Sequence, residues 1–171
     1  MKQVFSYFAY GSNMCTNRLR ERTPSARSVG VGSVRGHQLR WHKKSYDGSG
    51  KCDLFFTADD NHLVHGVLFE ISVSEKKRLD TVEGLHQGYD EKMVEVVTAS
   101  GVIPAVTYFA TVIDKFRRPY EWYKRFVVEG AIEHGLSEQY VQELQAIESI
   151  EDPDIDRVLR ETRIFEGRII T

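Results

Sequence analysis

Short runs of β-branched and aromatic residues, each closed by a turn, fill the first two thirds of the chain. Residues 4–10 form one such run and end at Gly-Ser-Asn, which predicts a buried strand followed by a turn. Residues 52–57 and 63–71 flank a turn-forming Ala-Asp-Asp-Asn segment and predict a β-hairpin. Residues 89–99 and 103–111 predict a second hairpin. The middle of the chain is therefore expected to be antiparallel.

Three glycines interrupt the apolar run over residues 29–42. Gly30, Gly32 and Gly36 fall among valines, Leu39 and an aromatic position. Glycine inside a strand pattern is typical of a bulge or a tight bend. The run predicts one bent or bulged strand at a barrel-like corner.

Two short helical patterns lie between the predicted strands. Thr16 is the expected N-cap of a helix over residues 17–22. Residues 74–83 have apolar positions at helical spacing, and the pattern stops at Gly84. We expect a short helix with Glu83 at its end.

The last third of the chain has a helical pattern. Pro119 opens one helix and Ser137 opens another, each with an apolar stripe. The stripes contain Tyr120, Tyr123, Val127 and Ile132 in the first helix, and Leu144 and Ile147 in the second. These helices are expected to cover the sheet, which makes the fold α+β. Residues 149–171 predict a short helix and then an irregular or partner-contacting tail.

Composition indicates an ordinary globular domain. The 171 residues are 41% hydrophobic with a net charge of −2, which suits a single domain over residues 1–171 with 149–171 as its C-terminal tail. Because the charges are dispersed, we expect no nucleic-acid or membrane partner, but a small molecule. Cys15 and Cys52 form no CxxC pair, no metal-ligand spacing is found, and no apolar run is long enough for a membrane span. We expect a cytoplasmic protein. A homodimer surface and packing onto the same domain both remain open for the apolar tail residues Ile164, Phe165, Ile169 and Ile170.

The turn after the first strand is a candidate anion site. Tyr10-Gly11-Ser12-Asn13 leads from a strand into a helix, so its consecutive backbone N–H groups can surround a negative group. A plain strand-to-helix turn is the alternative reading.

Glu83 is a candidate acid–base residue. It stands before Gly84, where a helix stops, and a carboxylate partly withdrawn from water there can take and return a proton near neutral pH. Most glutamates at helix ends are solvated and inert, and spacing alone does not distinguish Glu83 from them.

The two segments together resemble a known family. Phe-Ala-Tyr-Gly-Ser-Asn-Met at residues 8–14, with Leu-Asp-Thr-Val-Glu-Gly at 79–84, is similar to the gamma-glutamylcyclotransferase family. The resemblance continues through Tyr123-Lys124-Arg125, Glu129-Gly130-Ala131, Gly135-Leu136 and Tyr140, and so covers roughly residues 5–148. Some members carry a tyrosine before the Tyr123 helix, where this chain has Arg117 and Arg118. Those arginines either favour a carboxylate-bearing leaving group or are surface residues.

This resemblance implies a small mixed, mainly antiparallel β-barrel with helices packed outside and a pocket at its mouth. It implies a cyclotransferase that converts a gamma-glutamyl amino acid or amine to 5-oxoproline without a cofactor. Glu83 would be catalytic. The implied substrate-binding residues are Tyr10, Gly11, Ser12, Asn13 and Tyr123, although Tyr123 could equally belong to the core.

Two other readings remain open at this stage. One is a non-catalytic module that binds a small carboxylate as a sensor or scaffold. The other is an unrelated barrel filled by its own side chains, without a cavity beside residues 10–13.

Overall fold

A closed five-stranded barrel forms the centre of the protein. The computed structural model describes residues 3–166. The barrel strands are β1 (Val4–Ala9), β2 (Arg27–Arg35), β5 (Leu63–Ser72), β6 (Tyr89–Thr98) and β7 (Gly101–Ala110). Their order is β1-β5-β2-β6-β7, with β1 and β7 parallel and every other pair antiparallel. The expected mixed, mainly antiparallel barrel is confirmed, as is the β6–β7 hairpin.

The remaining strands form a separate two-stranded sheet. They are β3 (His37–Lys44) and β4 (Gly50–Phe56), which pair with each other. The predicted single strand over residues 29–42 is therefore two strands that meet at Gly36, although the expected bulge is present between Ser28 and Gly30. The predicted β4–β5 hairpin is wrong. Strand β5 is almost continuously buried and lies between β1 and β2, because an apolar strand of this kind needs neighbours on both edges.

Within residues 3–166, five α-helices pack around this framework. They are α1 (Thr16–Arg22), α2 (Lys76–Glu83), α3 (Glu121–Glu133), α4 (Glu138–Gln145) and α5 (Ile155–Thr162). The expected N-cap at Thr16 is wrong: Cys15 occupies the N-cap, and the Thr16 hydroxyl contacts the His134 ring at 3.0 Å. Among the described residues, no helix is long and apolar enough to cross a membrane.

Helix α3 is the main helix of the core. Tyr120, Tyr123 and Val127 are buried as expected, but Ile132 is 52% exposed. Nine residues separate Ile132 from Tyr123, about two and a half turns of a 3.6-residue helix, so Ile132 faces the opposite side. A Cβ added at Gly130 would lie 2.5 Å from the Cys15 nitrogen. The absence of a side chain at Gly130 thus lets α3 approach the segment that follows β1.

The segment after residue 149 packs against α3. Asp152 accepts hydrogen bonds from the Trp122 indole at 2.8 Å and from Arg157 Nε at 2.6 Å. Phe165 lies in a short 3₁₀ turn, with its ring centroid 4.6 Å from that of Phe126. Phe165 therefore packs onto its own chain. Ile169 and Ile170 lie outside the described residues.

Candidate active site

The Tyr10–Asn13 turn lies at the end of β1, where the chain leaves the barrel. Residues Ser12–Met14 form a single 3₁₀ turn, and Ser12 and Asn13 are buried. A Cβ at Gly11 would lie 3.1 Å from the Cys52 Cβ and 3.4 Å from the Tyr123 hydroxyl. Glycine at this position keeps the space in front of the turn open.

Three backbone amides of this turn remain available to a ligand. The first N–H groups that bond within the turn are those of Met14, to the Gly11 carbonyl at 3.0 Å, and of Cys15, to the Ser12 carbonyl. Within residues 3–166, the amides of Gly11, Ser12 and Asn13 donate to no protein acceptor. The turn thus has the donor set of the anion nest that the sequence suggested.

Glu83 is the last residue of α2, and the helix end is firmly anchored. Gly84 adopts the left-handed conformation with φ 72°, and the Leu85 N–H bonds the Asp80 carbonyl at 2.9 Å, which closes the helix. One turn before Glu83, the Asp80 carboxylate accepts the Tyr108 hydroxyl of β7 at 2.5 Å. This contact attaches α2 to the barrel and directs Glu83 toward the turn.

Glu83 and Asn13 meet directly, although 70 positions separate them in the sequence. The Asn13 Nδ2 atom donates to Glu83 Oε1 at 2.8 Å and to the Tyr7 hydroxyl at 2.9 Å. Arg22 Nη1 lies 2.8 Å from Glu83 Oε1 and from Asn13 Oδ1. The Glu83 side chain is only 14% exposed. Arg22 and Asn13 thus hold the Glu83 carboxylate beside the turn.

One cavity brings the two predicted parts together. It has a volume of about 30 Å³ and opens to solvent. Its lining is Tyr7, Tyr10, Gly11, Ser12, Asn13, Cys52, Glu83, Tyr89, Tyr108 and Tyr123. All six site residues predicted from the sequence are in this lining. The alternative of a barrel with no cavity beside residues 10–13 is therefore wrong.

Five of the eight tyrosines in the chain line this cavity. The Tyr123 hydroxyl accepts the Cys52 N–H at 3.0 Å, whereas Tyr10 donates to the Tyr108 carbonyl at 2.6 Å and Tyr89 to the Cys52 carbonyl at 2.6 Å. Burial raises the pKa of each of these hydroxyls well above its ordinary value. They remain protonated at neutral pH and give the cavity a polar but uncharged wall.

Cys52 is the thiol of the cavity. Burial raises the pKa of Cys52 to about 12, so it remains a neutral thiol. Glu83 is the one carboxylate in the cavity lining. Acid–base chemistry at Glu83, rather than attack by a thiolate, fits this arrangement.

Sequence reasoning missed three tyrosines of the cavity lining and one arginine that contacts Glu83. Tyr7, Tyr89 and Tyr108 come from three different strands, and Arg22 is the last residue of α1. The recurrence of tyrosine in the apolar strands was a signal for the first three. Nothing in the local pattern of α1 distinguishes Arg22 from the other arginines there.

Arg117 and Arg118 are occupied by contacts within the protein. Arg117 Nε pairs with Asp114 at 3.1 Å, and its Nη1 donates to the Gly48 carbonyl at 2.5 Å. Arg118 pairs with Glu148 at 3.0 Å on the surface. Neither arginine lines the cavity.

A larger open cleft lies between β4 and the β6–β7 hairpin. It has a volume of about 800 Å³ and shares no lining residue with the tyrosine-lined cavity. Its buried carboxylate, Asp53, already bonds the His42 ring at 2.8 Å and the Ala110 N–H at 2.7 Å. We therefore take the smaller cavity as the candidate active site, because it combines unsatisfied donors with a reachable carboxylate.

Comparisons with known proteins identify the family of the chain. The AIG2-like family model matches residues 63–144. The gamma-glutamylcyclotransferase of Mus musculus is 32% identical over 159 residues, covering 85% of this chain and 80% of that protein. The Homo sapiens gamma-glutamylcyclotransferase is 33% identical over 160 residues, covering 86% and 80%. A solved structure named gamma-glutamyl cyclotransferase has a TM-score of 0.80 at 28% identity, covering 93% of this chain and 99% of its own. The chain therefore belongs to the gamma-glutamylcyclotransferase family and is an enzyme of that type.

Proposed function

We propose that the protein converts a gamma-glutamyl amino acid or gamma-glutamyl amine to 5-oxoproline and releases the amine. The observation that carries the proposal is the 2.8 Å contact between Glu83 and Asn13, which puts one carboxylate beside the amides of the Tyr10–Asn13 turn. An intramolecular acyl transfer needs both features in one cavity: donors that hold the substrate in a folded shape, and a group that moves protons.

The reaction joins the substrate's own α-nitrogen to its γ-carbonyl carbon. The α-ammonium first loses a proton to Glu83, and the resulting amine attacks the γ-carbonyl. The bond between that carbon and the leaving nitrogen then breaks. Two protons leave the α-nitrogen in total, and Glu83 passes both in turn to the leaving nitrogen. The products are the lactam and an ammonium ion, so charge and atoms balance without a cofactor.

The amides of Gly11, Ser12 and Asn13 hold the glutamyl end. They suit either its α-carboxylate or the oxyanion that forms at the γ-carbon, because both need N–H donors in a site with little water. The Tyr10 and Tyr123 rings form the walls against which the substrate folds. Fixing this folded shape supplies much of the acceleration in a ring closure.

The alternative, a non-catalytic carboxylate sensor, has less support. The curated relatives that match most of the chain are named as cyclotransferases, and Glu83 lies within reach of the nest, where a sensor would need no proton carrier. A cytoplasmic location and a homodimer stay predictions.

Replacing Glu83 by Gln tests the proposed function. The purified protein is incubated with gamma-glutamyl amino acids and amines, and 5-oxoproline is measured. Gln keeps the shape of the side chain but cannot accept and return a proton. We therefore expect kcat to fall by roughly 10²–10⁴ with substrate binding retained. The exposed Glu95→Gln is the matched control and should keep full activity. Full activity in Glu83→Gln would refute the assigned role. Binding without turnover in the wild type would favour the sensor.

A further inference from the structure

Lys43 of β3 is a buried cation without an acidic partner. Only 7% of the residue is exposed. Within the described part of the chain, its ammonium forms no ion pair and no side-chain hydrogen bond. It lies 4.7 Å from the centre of the Tyr89 ring. Because no buried side-chain nitrogen within residues 3–166 lacks a hydrogen-bond partner, the Lys43 ammonium itself reaches solvent and is available to an anion from outside the protein.

The neighbouring cations differ from Lys43 in this respect. Each is partly buried and each contacts a carboxylate of the same chain. The pairs are Lys51 with Asp47, Lys76 with Asp80 and Glu91, Arg18 with Glu161, and Arg22 with Glu83. Lys43 differs from these four cations because it pairs with no carboxylate of residues 3–166.

Lys43 lies just outside the lining of the active-site cavity, at the rim that Tyr89 forms. Next to the turn, Gly11 packs against Cys52, whose carbonyl accepts a hydrogen bond from the Tyr89 hydroxyl at 2.6 Å. The Lys43 ammonium lies over the ring of Tyr89. A whole tyrosine ring therefore separates Lys43 from the amides of the turn. On the other side, Gly88 leaves room for the lysine, since a Cβ there would lie 3.0 Å from Lys43 Cε.

The electrostatic setting of Lys43 is consistent with binding an anion. Burial lowers the pKa of Lys43, and the charges of Glu83 and Asp47 act in the opposite direction and raise it. Glu83 is therefore close enough to influence the ammonium, although the two groups do not touch. A ligand that reaches from Glu83 to Lys43 bridges the reacting centre and this rim.

We propose that the Lys43 ammonium binds the carboxylate of the amino acid that the reaction releases. The inference rests on the proposed function. In a gamma-glutamyl amino acid, the γ-carbonyl lies between the glutamyl α-carboxylate and the carboxylate of the leaving group. If the turn holds the glutamyl end and Glu83 acts at the γ-carbon, the second carboxylate extends away from the turn, toward Lys43. Lys43 then makes gamma-glutamyl amino acids better substrates than gamma-glutamyl amines.

Two substrates that differ by a single carboxylate test this proposal. Gamma-glutamyl-alanine releases alanine, and gamma-glutamyl-ethylamide releases ethylamine, which is alanine without its carboxylate. We expect Lys43→Met to lower kcat/KM about 10- to 100-fold for the alanine compound, the size of one lost charge-assisted contact, and to leave the ethylamide unchanged. Lys44→Met removes the same charge from an exposed neighbour and should change neither value. An equal loss on both substrates, or no loss, overturns the proposal.

A wild-type measurement keeps the test independent of how the variant folds. Gamma-glutamyl-alaninamide has the size of the alanine compound but no charge, and we expect wild-type kcat/KM to fall by the same factor. Equal rates for the acid and the amide contradict the role of Lys43.

Binding separates this proposal from the proposed function. In a Glu83→Gln background, calorimetry should show weaker binding of gamma-glutamyl-alanine when Lys43 is also replaced by Met, whether or not the wild type turns over. Unchanged affinity overturns the role of Lys43. Absence of 5-oxoproline from every substrate contradicts the cyclotransferase reaction instead.

Discussion

The Tyr10–Asn13 turn and the C-terminal end of α2 meet at one cavity but are held there by different forces. The turn is fixed by close packing: it follows a buried barrel strand, and α3 presses against it at Gly130. Glu83 is fixed by side-chain contacts, through Asn13, Arg22 and the Asp80–Tyr108 hydrogen bond one turn earlier. The turn is thus part of the packed core, whereas Glu83 is attached to the core by hydrogen bonds.

This difference predicts how the two halves respond to mutation. A packed turn cannot change without cost to the whole fold, because protein interiors tolerate little overlap. A carboxylate held by hydrogen bonds can be misplaced while the domain remains folded. Changes in the turn should therefore appear mainly in stability, and changes around Glu83 mainly in turnover.

Among the tests of this comparison, the largest expected effect is at Asn13, whose side chain connects the two halves. Asn13→Ala removes the donor to Glu83 Oε1 and the acceptor for Arg22. Because a small misplacement of a reacting group is costly, we expect kcat to fall about 10²-fold, with a smaller change in KM. Steady-state kinetics and urea unfolding measure both quantities. Asn17→Ala, on the exposed face of α1, is the control. If Asn13→Ala lowered the free energy of unfolding but left kcat unchanged, Asn13 would support only the packing of the turn and not the position of Glu83.

The next effect is at Gly130, in the packed half. Alanine normally stabilises a helix interior relative to glycine by about 1 kcal/mol. Here the added Cβ would meet the Cys15 nitrogen at 2.5 Å and Met14 at 2.6 Å, so α3 must move away from the turn. We expect Gly130→Ala to lower the free energy of unfolding by roughly 1–3 kcal/mol, as overpacking does. An increase in stability would show that the turn is not held by this contact.

The smallest effect concerns the support behind the turn. Arg18 Nε donates to the Ser12 hydroxyl at 3.3 Å and its Nη1 pairs with Glu161 of α5, which Asp152 helps to anchor. Hydrogen bonds from Arg157 hold the pKa of Asp152 at about 2, below its ordinary value of 3.8. We expect Asp152→Asn to cost about 1–2 kcal/mol of stability at neutral pH.

The sign of the pH dependence follows from that lowered pKa. The folded state binds the proton less readily than the unfolded state, so the stabilisation is complete above the unfolded value and is lost as the pH falls toward 2. The stability gap between wild type and Asp152→Asn should shrink between about pH 4 and pH 2 in urea titrations. The exposed Asp156→Asn is the control. If the stability difference between wild type and Asp152→Asn did not change with pH, the contribution of Asp152 would not depend on its charge.

The sequence predicted the elements better than it predicted their pairing. All five helices and most strands follow from periodicity and turn residues, since these signals are local. The pairing of β4 with β3, instead of β5, depends on which faces the barrel buries, and a turn between two strands does not encode that choice. Likewise, the sequence does not explain why glycine stands at position 130. The structure does, because α3 packs there against the backbone of Cys15 and leaves no room for a side chain.

For the site, the sequence by itself determined the Tyr10–Asn13 turn, because a strand that ends in Gly-Ser-Asn and enters a helix exposes consecutive amides. It also placed Glu83 at a helix end, and the family resemblance supplied its role. Only the tertiary structure decided that Asn13 and Arg22 hold that carboxylate, that five tyrosines line the cavity, and that residues 3–166 provide no carboxylate partner for Lys43. Local backbone conformation follows from neighbouring residues, whereas the surroundings of a charge depend on segments that approach only when the barrel closes.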